Sequence, residues 1–220
     1  MSLFTPQIPL SVPFGASAVT QHLQFAASSY GNGQLQAAEH HYRAACAAQP
    51  GHRDAILGLA AVLTETGRAQ AAIPFLQRAL VQTAADAPVH SALAVAFDIL
   101  GRYDEAIGHF EASLLLRPAD QGTLLNFGNT LQKLNRAPEH VVWLERAIDA
   151  QDGSAPLYAM LARVQMGLGQ LDAARETIEQ AIACEPRNAY YYRLLAEVKR
   201  FEPGDPYLAA MEALVRSAGG

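Results

Sequence analysis

The sequence predicts an all-α chain built as a solenoid of antiparallel helix pairs, and three observations carry the prediction. Small residues recur at a fixed interval of 34, at Ala26, Ala60, Ala94, Gly128, Ala162 and Ala196, and turn formers recur at the same interval at Gly33, Gly67, Gly101, Asn135 and Gly169. Between these markers the apolar residues follow the helical period, as in the stretch from Ala87 to Asp120, where Leu93, Ala94 and Phe97 precede Gly101, and Ala106 and Phe110 lead up to Pro118. The alternation of Val, Ile and Thr that marks strands is missing. Each interval therefore reads as one hairpin, and units that bury their apolar faces only against their neighbours form a solenoid.

Residues 1–16 come first and are set apart by Pro6, Pro9 and Pro13, which remove backbone donors and favour extended geometry. They read as an extended arm, and Phe4, Ile8, Leu10, Val12 and Phe14 make it apolar enough to seek cover. Five hairpins are then expected over residues 17–188, at approximately 19–52, 53–86, 87–120, 121–154 and 155–188. The first places Phe25 and Ala26 on its inner stripe, with Ala38, Tyr42 and Ala45 on its second helix. Leu59, Ala60, Leu63, Ala72 and Leu76 do the same in the second, Phe127, Leu131, Leu144 and Ala147 in the fourth, and Leu161, Ala162, Ala174 and Ile178 in the fifth. Asp86, Asp120, Ser154 and Asn188, again 34 apart, are placed to accept from the free amides of helix starts. Residues 189–220 read as a closing pair of helices, the last begun by Asp205 and Pro206 and carrying Leu208, Met211, Leu214 and Val215.

Composition narrows the function classes. A net charge of −5, with no long run in which Lys and Arg outnumber acids, gives no footprint for nucleic acid. Cys46 and Cys184 sit far apart in the chain and read as small packed hydrophobes in a reduced compartment, with a cytoplasmic location as the default. No stretch approaches the 18 continuous apolar residues of a membrane span. The seven histidines, His40 and His41 adjacent among them, contain no pair at the i, i+4 spacing that puts two ligands on one helix face, so no metal or other cofactor is expected. No catalytic constellation is present, and the chain reads as a non-enzyme. Trp143 reads as packing between repeats.

The 34-residue hairpin, with Leu-Ala or a similar small residue in its first helix, Ala and an aromatic in its second and Pro near its end, resembles the tetratricopeptide repeat. The slot often held by Trp in that family carries His22, Ile56, His90, Leu124 and Tyr158, and His140 stands where the fourth second helix should have a small Ala, so the fourth repeat is expected to splay. The resemblance implies a right-handed superhelix whose first helices line a concave groove that binds a protein or peptide segment. By place in the period, the groove residues are Leu23, Ala27, Tyr30, Leu57 and Ala61 in an apolar half, and Asn126, Asn129, Gln132, Lys133, Arg163, Arg193, Glu197 and Arg200 in a polar, net basic half suited to an acidic ligand. Some family members clamp a peptide carboxylate with Lys and Asn on the first groove helix. Leu23 and Ala27 stand at those places here. The run from Lys199 to Pro206 is similar to the end of repeat regions preceding sulfotransferase domains in some bacterial proteins, which gives the alternative of an accessory region of a larger enzyme. The arm has the reach either to enter its own groove or to join two chains as a homodimer.

Overall fold

The computed structural model describes residues 14–150 and 153–218. Among the described residues there are twelve helices and no strand: α1 Phe14–Gly31, α2 Leu35–Ala48, α3 Arg53–Glu65, α4 Ala69–Gln82, α5 Ala87–Ile99, α6 Tyr103–Leu116, α7 Gln121–Lys133, α8 Ala137–Ala150, α9 Ala155–Gly167, α10 Leu171–Cys184, α11 Ala189–Val198 and α12 Pro206–Ala218. The chain divides into two compact units at His109 and Phe110, within α6. In the first, each helix from α1 to α5 packs on the next, and α3 also touches α1 and α5. In the second the same neighbour packing runs from α7 to α12. This is the connectivity of an all-α solenoid of helix pairs, in which contacts stay local along the chain.

The five hairpin turns share one backbone device. Gly33, Gly67, Gly101 and Gly169 take φ between 72 and 75°, and Asn135 takes φ 58°, so each first helix ends in a left-handed residue. The following amide then donates back five residues: Gln34 to Ser29, Arg68 to Leu63, Arg102 to Phe97, Arg136 to Leu131 and Gln170 to Gln165, all at 2.7–2.9 Å. That six-to-one bond is the Schellman closure, which satisfies a carbonyl the helix end would leave bare. Glycine and asparagine are the residues that reach this geometry at least cost.

Helix starts differ more. Asp86 accepts from the Val89 amide at 3.3 Å, Asp120 from Thr123 at 2.7 Å, and Asn188 from Tyr190 at 3.1 Å, as the sequence predicts. Ser154 makes no capping bond, and its buried hydroxyl has no partner among the described residues. His52, absent from the predicted caps, accepts from Ala55 through Nδ1 at 3.4 Å and opens α3.

The small residues predicted to let paired helices approach are buried at Ala26, Ala60, Ala94, Gly128 and Ala162, and Phe97, Phe110 and Phe127 are fully enclosed. Several expectations fail in detail. Helix α1 begins at Phe14, so residues 14–16 are helical rather than part of an extended arm; the rest of the arm, residues 1–13, lies outside the described residues. Phe25 is 60% exposed, because the narrow inner stripe of α1 is filled by Ala26 and Val19. Cys184 is exposed at the end of α10, whereas Cys46 is buried and its thiol pKa is pushed up by that burial. On α12, Met211 and Leu214 pack against the core around Tyr192 and Leu195, while Val215, 72% exposed, faces solvent.

Candidate functional site

The second unit contains a groove built from α7, α8, α9 and α11. Its wider part is a cavity of about 520 Å³. From α7 come Leu125, Gly128, Asn129 and Gln132, spaced so that they share one helix face, and Asn135 comes from the turn that follows; Pro138 and His140 come from α8, and Met160, Arg163 and Val164 from α9. A second cavity of about 380 Å³ is lined by Arg163, Met166, Tyr190, Arg193, Leu194 and Glu197. Arg163 belongs to both and joins them.

The wall of the wide cavity pairs one departure from the repeat pattern with a residue that keeps to it. His140 occupies a slot meant for a small side chain and is only 7% exposed. It fits because Gly128 stands opposite: a Cβ there would lie 2.1 Å from His140 Cε1, a distance no real contact tolerates. The ring is thus admitted by the absence of a methyl group on the facing helix. Burial holds the His140 pKa below the usual imidazole value, outweighing the Leu124 carbonyl that favours the charged form. Its Nε2 is buried without a hydrogen-bond partner among the described residues.

Apolar side chains, an exposed Leu125 and half-buried Met160 and Val164, line the groove beside cations. Arg163 and Arg193 are exposed on α9 and α11. Arg193 lies 5.4 Å from the Tyr190 ring centroid, a cation–π arrangement that aims its side chain along the helix. Arg163 has no ion pair among the described residues. Trp143, on α8, is half-buried, with its ring at 6.0 Å and 67° to that of Phe127 and the Arg146 guanidinium 5.0 Å from its centroid, so the contacts it makes here lie within the fourth repeat.

Of the sequence-predicted residues, Asn129, Gln132, Arg163, Arg193 and Glu197 come together in these cavities. Asn126, Lys133 and Arg200 are exposed outside their lining: Asn126 and Lys133 flank the lining stripe of α7, and Arg200 lies beyond the end of α11. Leu125, Gly128, Met160, Tyr190 and His140 were not predicted as site residues, and the one signal near the place was the departure from the period at His140. In the first unit Leu23, Leu57 and Ala61 are half-buried and Ala27 is exposed. Tyr30 donates its hydroxyl to Glu65, tying α1 to α3, and that bond pushes its pKa up to about 12.

Models of the tetratricopeptide repeat match residues 29–96 and 143–198, and a further one matches residues 89–124. The chain belongs to the tetratricopeptide repeat family. A wheat (Triticum aestivum) Hsp70-Hsp90 organizing protein is 27% identical over 106 residues, 48% of this chain, and the match spans only 18% of the wheat protein's length. Among solved structures, PilF of Pseudomonas aeruginosa aligns over 94% of this chain and 95% of its own, with a TM-score of 0.65 and 19% identity. A thermophilic tetratricopeptide repeat protein of Thermus thermophilus aligns over 82% and 98%, with a TM-score of 0.59 and 18% identity. MamA aligns over 80% and 96%, also with a TM-score of 0.59 and 18% identity. These likenesses establish the tetratricopeptide fold. Among the described residues no helix is long and apolar enough to cross a membrane.

Proposed function

We propose that this tetratricopeptide repeat chain is a non-catalytic interaction module whose second unit binds an acidic peptide segment in the groove of α7, α9 and α11. The observation that carries the proposal is Arg163, an exposed guanidinium at the junction of two cavities with no ion pair among the described residues. A carboxylate in that position gains charge-assisted, two-pronged hydrogen bonds. Asn129 and Gln132 supply donors and acceptors for peptide amides beside it, and the lining of Leu125, Met160 and Val164 takes an apolar side chain of the same segment. Glu197 in the lining of the second cavity favours a segment whose acidic groups keep clear of it. The wheat relative is named for organising two other proteins, Hsp70 and Hsp90, which agrees with a role in assembly. The carboxylate clamp with Lys and Asn on the first groove helix does not fit here, because Leu23 and Ala27 occupy those places.

The test is selection from a random display library of peptides on the full chain and on Arg163→Ala/Asn129→Ala/Arg193→Ala. The wild type is expected to enrich segments that pair an apolar residue with Asp or Glu, and the triple variant is expected to lose them. Enrichment of the same sequences by both proteins would transfer the binding site to another surface.

A further inference from the structure

Four of the seven histidines form two copies of one arrangement. His22 on α1 meets His41 on α2 with their Nδ1 atoms 3.1 Å apart, and His90 on α5 meets His109 on α6 with Nδ1 atoms 2.9 Å apart. Both partners are 19 residues apart, both pairs of rings are tilted by 38°, and the second histidine of each stacks on a phenylalanine, Phe25 or Phe97. The copies stand two repeat lengths apart. Nothing in the fold requires them: the same two positions carry Ile56 and Phe75 in the second repeat, and Leu124 and Trp143 in the fourth.

The geometry is that of a shared proton. Ring centroids are 5.4 Å apart in the first pair and 5.2 Å in the second, each longer than the nitrogen separation by about two ring radii, so the nitrogens face each other head-on. Two ligands of one metal ion would instead aim at a third point, and among the described residues no group of three His, Cys, Asp or Glu is placed to hold an ion. In the third repeat the tautomer follows from the surroundings. His90 Nε2 lies 3.0 Å from the Ala84 carbonyl, which only accepts, so that nitrogen carries hydrogen. A neutral His90 then offers a bare Nδ1, and His109 Nδ1 donates to it. One added proton goes to the free Nε2 of His109 and leaves the bond intact. A second must sit on His90 Nδ1, where it faces another N–H, so the bond is lost and two like charges meet.

We infer that the paired imidazoles of the first and third repeats form an acid-sensitive latch, closing each first helix onto its second by one N–H···N bond that survives one added proton per pair and breaks at the second. The charged groups around the third-repeat pair are Glu105, one turn before His109 on α6, and Arg102, which binds Glu105 at 2.5 and 2.6 Å and lies over the Phe97 ring. Around the first-repeat pair the neighbouring titratable ring is His40, 5.3 Å from His41 between centroids. Burial and the neighbouring His90 lower the His109 pKa, and Glu105 opposes this without reversing it. The unfolded chain therefore binds the proton that His109 takes up before the folded chain does. Stability is complete above the ordinary histidine value of about 6.5 and is lost as pH falls from there toward the lower folded value.

The experiment uses the full chain and two readouts. Nitrogen NMR of the imidazoles near pH 8 should show His90 protonated at Nε2 and His109 at Nδ1. Hydrogen exchange, corrected for its intrinsic pH dependence, should show α1, α2 and α5 opening more often as pH falls from about 7.5 to about 5, by about ten-fold for each pH unit by which the second proton is resisted. His41→Phe/His109→Phe places in both repeats the residue found at Phe75 and should abolish that increase; His22→Ile/His90→Leu tests the same bonds from the other side. A His90 bearing its proton on Nδ1 would overturn the inference, as would an unchanged acid response in whichever double variant folds.

Discussion

Gly128 and His140 show how one residue creates room for another, and the consequence is measurable. Gly128→Ala puts a methyl group against the His140 ring and should cost about 1–3 kcal/mol by overpacking. The same change in a His140→Ala background should cost nothing and can gain a few tenths of a kcal/mol from helix propensity, so a double-mutant cycle by urea unfolding checks the coupling. Because burial lowers the His140 pKa in the folded chain, the wild type should lose stability as pH drops below about 6.5, whereas His140→Ala should lose less. At Asn135, the one non-glycine residue with positive φ among those described, Asn135→Gly should stabilise by about 0.5 kcal/mol or less and Asn135→Val should destabilise by about 1 kcal/mol or more. The sequence made this turn legible, since Asn135 falls in the register of four glycines. It did not reveal the cavity, because His140 and Gly128, on different helices, had to be brought face to face before either had meaning.

Among the helices, the start positions separate a residue type from its role. Asp86 and Ser154 occupy equivalent places in the period, yet Asp86 caps α5 and accepts from Arg53 Nε at 2.6 Å, whereas Ser154 caps nothing. Asp86→Ala should therefore cost about 1–2 kcal/mol, through the lost cap and the lost partner for Arg53, whereas Ser154→Ala should be neutral or slightly stabilising because it removes an unpaired buried hydroxyl. Thermal unfolding of the two variants tests the contrast; equal losses would contradict it. The type of capping residue can be read from a sequence, but whether its oxygen reaches an amide depends on backbone angles that residues several positions away decide. The histidine pairs illustrate the same limit. Nineteen residues separate the partners, a distance that has no helical periodicity and becomes a contact only when the hairpin closes.

Across the chain, the 34-residue interval made the architecture legible because every contact it implies lies between neighbours in sequence, as the packing from α1 to α5 and from α7 to α12 shows. A groove is less legible. Its lining mixes residues whose period positions are unremarkable, such as Leu125 and Met160, and the run from Lys199 to Pro206 serves the fold: Lys199 pairs with Asp205 at 2.9 Å and covers the Tyr207 ring where α12 begins. The proposed contact of Arg163 with an acidic ligand in the second unit is open to measurement. Its most direct test is the affinity of a library-selected acidic peptide for the wild type and for Arg163→Glu, measured by titration calorimetry at low and at moderate salt. Binding to Arg163→Glu should be at least about ten-fold weaker, equivalent to about 1.4 kcal/mol, with a salt dependence that shrinks in the variant. Equal affinity with equal salt dependence would contradict it.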